Sequence, residues 1–157
     1  MSFGIQDFDL TVQKAVDRVQ PSELIERLLV PEIRDMFPNG VNFDILCGLP
    51  KQTPESFRST MSQVVQMLPD RVCVNYMHMS QKFHPHQLRM PTKNIPDQFT
   101  KKEMFLDGCN ILLSNGYVRT GYDHFVRNTD PVAKALDDGN MGWNRLGVTA
   151  GRYSSII

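Results

Sequence analysis

The sequence lacks a hydrophobic run long enough to cross a lipid bilayer. No apolar stretch approaches the roughly 20 residues that a membrane-spanning helix needs, and no charged segment followed by an apolar one opens the chain. A net charge is also missing, because 17 Lys and Arg residues balance 17 Asp and Glu residues. We therefore expect a cytoplasmic protein whose partners include neither a membrane nor a nucleic acid.

Cysteine is scarce, and the three cysteines stand far apart at Cys47, Cys73 and Cys109. Each lies within an apolar pattern, which is typical of buried, reduced thiols rather than of a disulfide framework. An iron–sulfur cluster needs several thiolates that converge on the metal, and no short segment of the chain supplies them. The sequence therefore predicts no metal centre of its own.

Histidine offers one further grouping. His84 and His86 flank a proline and could bind a metal together with His78, but two ligands on a proline loop make an incomplete site. We interpret this segment as a solvated loop.

The length and composition fit one globular domain that spans residues 1–157. Of these residues, 41% are hydrophobic and 22% charged, which is enough apolar material for a single core. Short apolar stretches alternate with segments of helical spacing, and this alternation predicts a parallel α/β sheet. One of the helical segments begins at Leu10, and Asp9 is a plausible N-cap for it. Residues 79–96 read as a long loop and residues 139–157 as an irregular tail.

The stretch from Phe43 to Phe57 joins a strand, a turn and a helix start without a gap. Its alternation predicts that Phe43 and Ile45 share one face and that Asn42 and Asp44 share the other, with Asp44 near the end of the strand. Gly48 and Pro50 stop the strand. Thr53 is then a suitable N-cap, with Pro54 at the first helical position. In α/β proteins, active sites lie at such strand ends.

This stretch and several others resemble the oxygen-independent coproporphyrinogen III oxidases, which are radical S-adenosylmethionine enzymes. The matching motifs follow one another in order: Gly4–Phe8 with Arg18, GLPKQTPESF at 48–57, Asn75-Tyr76 before His78, NGY at 115–117, and DHF at 123–125 followed by Arg127. The resemblance implies the later half of an incomplete β/α barrel, with a parallel sheet and helices on one face. The cysteine loop that binds the cluster in this family has no counterpart in the chain.

The resemblance also implies cofactors and binding residues. In the full-length family the cofactors are S-adenosylmethionine and a 4Fe-4S cluster, and the positions that match the cofactor contacts are Gln6, Arg18, Asp44 and Met77. Three of them have a structural alternative: Asp44 could cap a backbone amide, Gln6 could be a satisfied barrel amide, and Arg18 could be a surface cation in the last turn of a helix. Met77 stands where relatives commonly have a small residue, and the resemblance implies a backbone contact to the adenine there.

The substrate implied by the resemblance is coproporphyrinogen III, two of whose propionates are oxidatively decarboxylated to vinyl groups in haem biosynthesis. A substrate with four propionates needs cations, so Arg119, His124 and Arg127 are candidate contacts. No catalytic residue is assigned.

Two alternatives to an oxidase fragment remain open at this point. One is a haem-binding or haem-delivering relative of the same superfamily, and the other is an inert, truncated chain. As an oxidase fragment, the chain is expected to be inactive alone. It is also expected to form a homodimer, because an open barrel leaves a sheet edge and inward-facing side chains such as Leu46 and Val74 uncovered.

Overall fold

A five-stranded sheet is the framework of residues 1–78, 87, 90–144 and 147–151, which are the residues that the computed structural model describes. In chain order, the elements are β1 (Ser2–Gln6), α1 (Leu10–Ala15), α2 (Ser22–Leu28), α3 (Pro31–Arg34), β2 (Asn42–Cys47), α4 (Pro54–Met67), β3 (Arg71–Tyr76), α5 (Gln98–Ser114), β4 (Tyr117–Arg119), β5 (His124–Arg127), α6 (Pro131–Asp137), β6 (Gly142–Asn144) and β7 (Gly147–Thr149).

The strands of the sheet lie in the order β1-β2-β3-β5-β4. The first three are parallel, as the alternation of strands and helices predicts, and this confirms the α/β class. The other two are antiparallel to their neighbours and form a hairpin. His124 and Phe125 of the DHF motif are the first two residues of β5, so the prediction of a parallel sheet is wrong at this edge.

One face of the sheet packs against α4 and α5, and we call it the helical face. Phe43 and Ile45 of β2 lie in this core together with Val72 and Val74 of β3, all of them fully buried. Side chains alternate along a strand, so Cys73 lies on the other side. The expectation that Val74 would be uncovered is therefore wrong.

The opposite face, which we call the open face, carries Ser2, Gly4, Asn42, Asp44, Arg71 and Cys73. It is open only in part, because Val126 of β5 forms a second core with Val132 and Ala133 of α6 and Val148 of β7. Helices therefore do not lie on one face alone. The tail, predicted to be irregular, forms the antiparallel β6–β7 hairpin within the described residues.

Local signals at the helix starts are confirmed. The Asp9 carboxylate accepts hydrogen bonds from the N–H groups of Thr11 and Val12, and Thr53 forms a capping box with Ser56. The first helix ends at Ala15, so Arg18 lies in the following loop and not in a last helical turn.

Three expectations concern the periphery of the fold. The segment with His84 and His86 lies outside the described residues, and Thr92–Asn94 within the predicted long loop forms a 3₁₀ turn. None of the described helices is both long and apolar enough to cross a membrane. Strand β1 is an edge of the sheet, and self-association through that edge stays a prediction.

Candidate functional site

Asp44 lies on the open face, held by two neighbouring polar side chains. The Ser2 hydroxyl donates to Asp44 Oδ2 at 2.8 Å, and Asn42 Nδ2 donates to Asp44 Oδ1 at 2.9 Å. Asp44 is the third of six residues in β2, so the expectation that it lies near the end of the strand is wrong. A carboxylate has about four acceptor positions, so each oxygen can still accept another hydrogen bond.

Gln6 and Arg18 meet above Gly4, which is the register partner of Asp44. A Cβ added at Gly4 would lie 2.7 Å from Gln6 Nε2 and 3.1 Å from Arg18 Nη2. Arg18 Nη2 donates to the Gly4 carbonyl oxygen at 2.7 Å, and its Nε donates to Gln20 at 2.8 Å. The glycine therefore allows three of the four predicted cofactor-binding residues, Gln6, Arg18 and Asp44, to lie around one patch of the open face.

Gln6 takes a backbone conformation that places its side chain over this patch. Its φ is +68°, in the left-handed region, and the β1–β2 register shifts between Gly4 and Gln6. A bulge of this kind redirects a side chain. Residues other than glycine rarely adopt a positive φ, and the cost of doing so is typical of functional positions.

Met77 lies farther along the sheet. Its N–H donates to the Cys47 carbonyl oxygen at 2.8 Å, one residue beyond the end of β3. Gln6 and Ile45 are at the level of Val74 in the register, so Met77 is about 10 Å beyond them along the strand direction. It lines a separate depression with His78 and Lys101. The structure therefore does not bring Met77 next to the Gly4 patch.

The three predicted cations for substrate do not converge on one point. Arg119 pairs with Phe125 in the β4–β5 register, and its guanidinium lies over the rings of Phe105, Tyr122 and Phe125 on the helical side. Arg127 pairs with the buried Tyr117 on that same side. His124 alternates with Phe125 and faces the open side, where it lines a cavity of about 550 Å³ together with Asp44 and Arg71.

His124 is surrounded by three partners at the edge of this cavity. Its Nδ1 lies 2.6 Å from Asp123 Oδ1 and 3.8 Å from Cys73 Sγ, and the Trp143 ring contacts it edge-on with 5.0 Å between centroids. Burial raises the pKa of the Cys73 thiol to about 12, and the carboxylates of Asp123 and Asp44 add to the shift. This thiol is therefore protonated at neutral pH.

Sequence reasoning missed a buried network beside this face. Asp7, which is 1% exposed, accepts hydrogen bonds from Gln52 Nε2 at 2.5 Å and from the Thr60 hydroxyl at 2.8 Å. Gln52 Oε1 in turn accepts from the N–H groups of Gly48 and Leu49. The network fixes the GLPKQT loop against the loop that follows Gln6.

The cysteines do not fit an iron–sulfur cluster. All three lie in the described part of the chain and all are buried as free thiols. Cys47 faces the helical side, where its Sγ contacts the Lys101 carbonyl oxygen at 3.3 Å and where Cys109 of α5 is close enough to raise its pKa. Cys73 lies on the opposite side of the sheet. Cys47 and Cys73 therefore face opposite sides of the sheet although their strands are neighbours.

The fold of this chain is similar to that of a solved enzyme structure. The chain superimposes on coproporphyrinogen III oxidase from Escherichia coli, described as a radical SAM enzyme, with a TM-score of 0.89 and 34% identity. The match covers 95% of this chain and 34% of that one. No protein-family model matches the chain.

Curated relatives name the particular enzymes to which the chain is similar. The chain is 38% identical to oxygen-independent coproporphyrinogen III oxidase from Pseudomonas aeruginosa and 36% identical to the one from Thermostichus vulcanus, over its whole length in both cases. It is 37% identical to the Escherichia coli protein over 95% of its length. The resemblance seen in the motifs is confirmed: the chain matches one segment of the oxygen-independent coproporphyrinogen III oxidases. It spans 34%, 48% and 32% of these three relatives respectively.

Proposed function

We propose that this chain is the later part of the radical SAM barrel of an oxygen-independent coproporphyrinogen III oxidase. The whole enzyme would oxidatively decarboxylate two propionates of coproporphyrinogen III to vinyl groups. What supports this is the match along the whole chain to relatives that carry the oxidase name. Because these relatives are named oxidases, they favour an oxidase over the haem-delivering protein considered as an alternative.

Within that enzyme, the Gly4 patch would hold the nucleoside and amino-acid parts of S-adenosylmethionine. Asp44 retains acceptor positions for ribose hydroxyls, because Ser2 and Asn42 use one hydrogen bond on each carboxylate oxygen. The Arg18 guanidinium has five N–H donors. One on Nε donates to Gln20 and one on Nη2 donates to Gly4, so the other donors remain for a ligand. The guanidinium can therefore also donate to the carboxylate of the cofactor.

Gln6 would complete the patch, and the missing side chain of Gly4 leaves the space that the Gln6 and Arg18 side chains occupy. An amide side chain both donates and accepts, which suits the mixed polar groups of S-adenosylmethionine. The residues of this patch thus fit the organic cofactor. The three cysteines do not fit a cluster, so the cluster ligands would have to come from elsewhere in a whole enzyme.

The chemistry of the reaction belongs to the cofactors, which supply the oxidising power when bound. The residues of this chain would bind and orient the adenosyl group and exclude water from it. The role of Met77 would be a backbone contact at the far end of the cofactor. Arg119 and Arg127 would not form one carboxylate site together with His124, since they face the other side of the sheet.

The test is binding of S-adenosylmethionine to the folded chain, measured by isothermal titration calorimetry. Gly4→Ala should weaken binding at least about tenfold, which corresponds to about 1.4 kcal/mol, because its methyl group would displace both Gln6 and Arg18. Asp44→Asn should weaken it to a similar extent, because an amide presents only one acceptor oxygen to the ribose.

The matched control is Asp138→Asn, which removes a carboxylate from the exposed end of α6. It should leave the affinity unchanged. Circular dichroism must show that all three variants are folded. Equal affinities for the chain and for the Gly4 and Asp44 variants, or an equal loss in the Asp138 variant, would contradict the proposed site.

A further inference from the structure

A cysteine, a histidine and an aspartate converge at the edge of the open face. Cys73 of β3 and His124 of β5 are register partners in the antiparallel pair, and Asp123 immediately precedes β5. One ligand atom from each of these side chains lies within 4.8 Å of the other two. None of the three is among the residues of the Gly4 patch, although Cys73 is the register partner of Asp44, and the grouping is argued from its own geometry without the function proposed above.

The geometry of this grouping differs from that of a nucleophilic cysteine. In a catalytic triad, the thiol approaches one imidazole nitrogen and the carboxylate orients the ring through the other. Here Cys73 Sγ and Asp123 Oδ1 both approach the same nitrogen, Nδ1 of His124, at 3.8 and 2.6 Å. Three donor atoms gathered around one point are the arrangement that a metal ion requires.

The distances are close to those of a tetrahedral site. With metal–sulfur and metal–nitrogen bonds of about 2.3 and 2.0 Å, neighbouring ligand atoms lie roughly 3.3–3.6 Å apart. The Cys73–His124 separation of 3.8 Å is near this range. The Asp123–His124 contact of 2.6 Å would have to lengthen by less than about 1 Å. The ligand atoms of Cys73 and Asp123 lie within 4.8 Å of each other and would have to approach by at most about 1.2 Å.

The surroundings hold the imidazole in place. The Trp143 ring packs edge-on against His124 at an interplanar angle of 72°, and a Cβ at Gly147 would come within 3.0 Å of His124 Nε2. Gly147 has a φ of +123°, which a residue with a side chain would rarely adopt. The hairpin thus leaves room for the ring and limits its rotation, as the supporting residues of metal-binding histidines do.

We propose that Cys73, Asp123 and His124 bind a divalent transition-metal ion, with Zn²⁺ the best match to one sulfur, one nitrogen and one oxygen donor. His124 also lines the 550 Å³ cavity, a space that can supply water or a small ligand as the fourth ligand. Three protein ligands and one open position are typical of zinc sites that take an exchangeable ligand.

The experiment is a titration of the reduced, chelator-treated chain with Co²⁺, a spectroscopic substitute for Zn²⁺, followed by displacement with Zn²⁺. We expect one Co²⁺ per chain, with a thiolate-to-cobalt charge-transfer band in the near ultraviolet and the intense visible bands of four-coordinate cobalt. Cys73→Ser should abolish the charge-transfer band. Cys109→Ser, which alters an equally buried cysteine on the helical side, should keep it.

His124→Gln and Asp123→Asn test the other two ligands without depending on the cysteine variant. Each should weaken cobalt binding at least about tenfold, and circular dichroism establishes that the variants are folded. Three outcomes would overturn the proposal: no stoichiometric binding, a charge-transfer band that survives Cys73→Ser, or a band lost in Cys109→Ser. Each of the last two would assign the metal to other residues.

Discussion

At the scale of single residues, Gln52 connects two loops that meet only in the folded chain. Its Oε1 accepts hydrogen bonds from Gly48 and Leu49, and its Nε2 donates to Asp7 and to the Leu46 carbonyl oxygen. Replacing it by alanine would leave buried polar groups without partners. We expect Gln52→Ala to lower the free energy of unfolding by about 2 kcal/mol, measured by urea denaturation.

The matched control for this variant is Gln66→Ala, on the exposed side of α4. Alanine is a slightly better helix former than glutamine, so this substitution should be neutral or weakly stabilising. If both substitutions have the same effect, the hydrogen-bond network contributes nothing measurable.

The buried carboxyl of Asp7 leads to a second prediction for a single residue, which concerns the dependence of stability on pH. Burial raises the pKa of the Asp7 carboxyl, against the lowering effect of hydrogen bonds from Asp9, Gln52 and Thr60. A group whose pKa is higher in the folded state stabilises the protein at low pH, and this contribution is lost as the pH rises through the folded-state pKa. The stability of the chain relative to Asp7→Asn should therefore fall as the pH rises above 3.8, the ordinary pKa.

Urea denaturation of both proteins over a series of pH values measures this difference. Other carboxylates titrate in both proteins, so their effects cancel. If the free energy of unfolding of the chain, minus that of Asp7→Asn, instead rises with pH, the hydrogen bonds outweigh burial and the Asp7 pKa is lowered.

The contrast between these residues and the helix caps shows what a sequence reveals. Asp9 and Thr53 could be identified as N-caps because their partners lie two or three residues away. Gln52 and Asp7 are 45 residues apart, and no local sequence pattern around either residue predicts their hydrogen bond. Gln6 and Arg18 were named through the family resemblance, whereas their meeting above Gly4 depends on a bulge that alternation does not predict.

At the scale of elements, an ion pair anchors α6 to the sheet. Arg71 Nε donates to Asp130 Oδ2 at 2.8 Å and Nη2 donates to Oδ1 at 3.2 Å, while Asp130 Oδ1 also accepts from Val132 N–H as the helix N-cap. The Asp130 side chain is 3% exposed. Removing one member of a buried pair leaves an uncompensated charge, so Asp130→Ala should cost about 3 kcal/mol.

Asp130→Asn separates the two roles of this side chain. Asparagine is as good an N-cap as aspartate but loses the charge that pairs with Arg71, so its cost should be smaller than that of alanine. Trp143, the single tryptophan, lies on the neighbouring hairpin, and its fluorescence reports whether α6 and the hairpin loosen. Arg58→Ala removes ion pairs with Glu55 and Asp107 on the helical side of the sheet, away from α6, and should leave the fluorescence of Trp143 unchanged.

The elements that sequence reasoning missed are the short ones. The strands β1 to β3 and the helix α4 could be predicted because their periodicities extend over more residues. In contrast, β5 has four residues, and β6 and β7 have three each. Periods that short cannot be distinguished from loops. The position of α6 on the open face is set by the Val126 core and by Arg71, which are contacts made only after the sheet forms.

At the scale of the whole molecule, the sheet separates the three cysteines. Cys47 and Cys109 lie on the helical side and Cys73 on the open side, so their thiolates cannot converge on one cluster without unfolding. We therefore expect this chain, reconstituted anaerobically with iron and sulfide, to form no four-iron cluster and to show no oxidase activity.

The readout that decides this prediction is acid-labile sulfide, counted together with iron. A single iron bound at Cys73, Asp123 and His124 would contain no sulfide, so the mononuclear site proposed above and a cluster give different results. His124→Gln should remove any mononuclear iron without changing the sulfide content. Four irons and four sulfides per chain, accompanied by cleavage of S-adenosylmethionine to deoxyadenosine, would show that the cysteines reach one another. The two faces of the sheet would then have to be closer, or more mobile, than the structure has them.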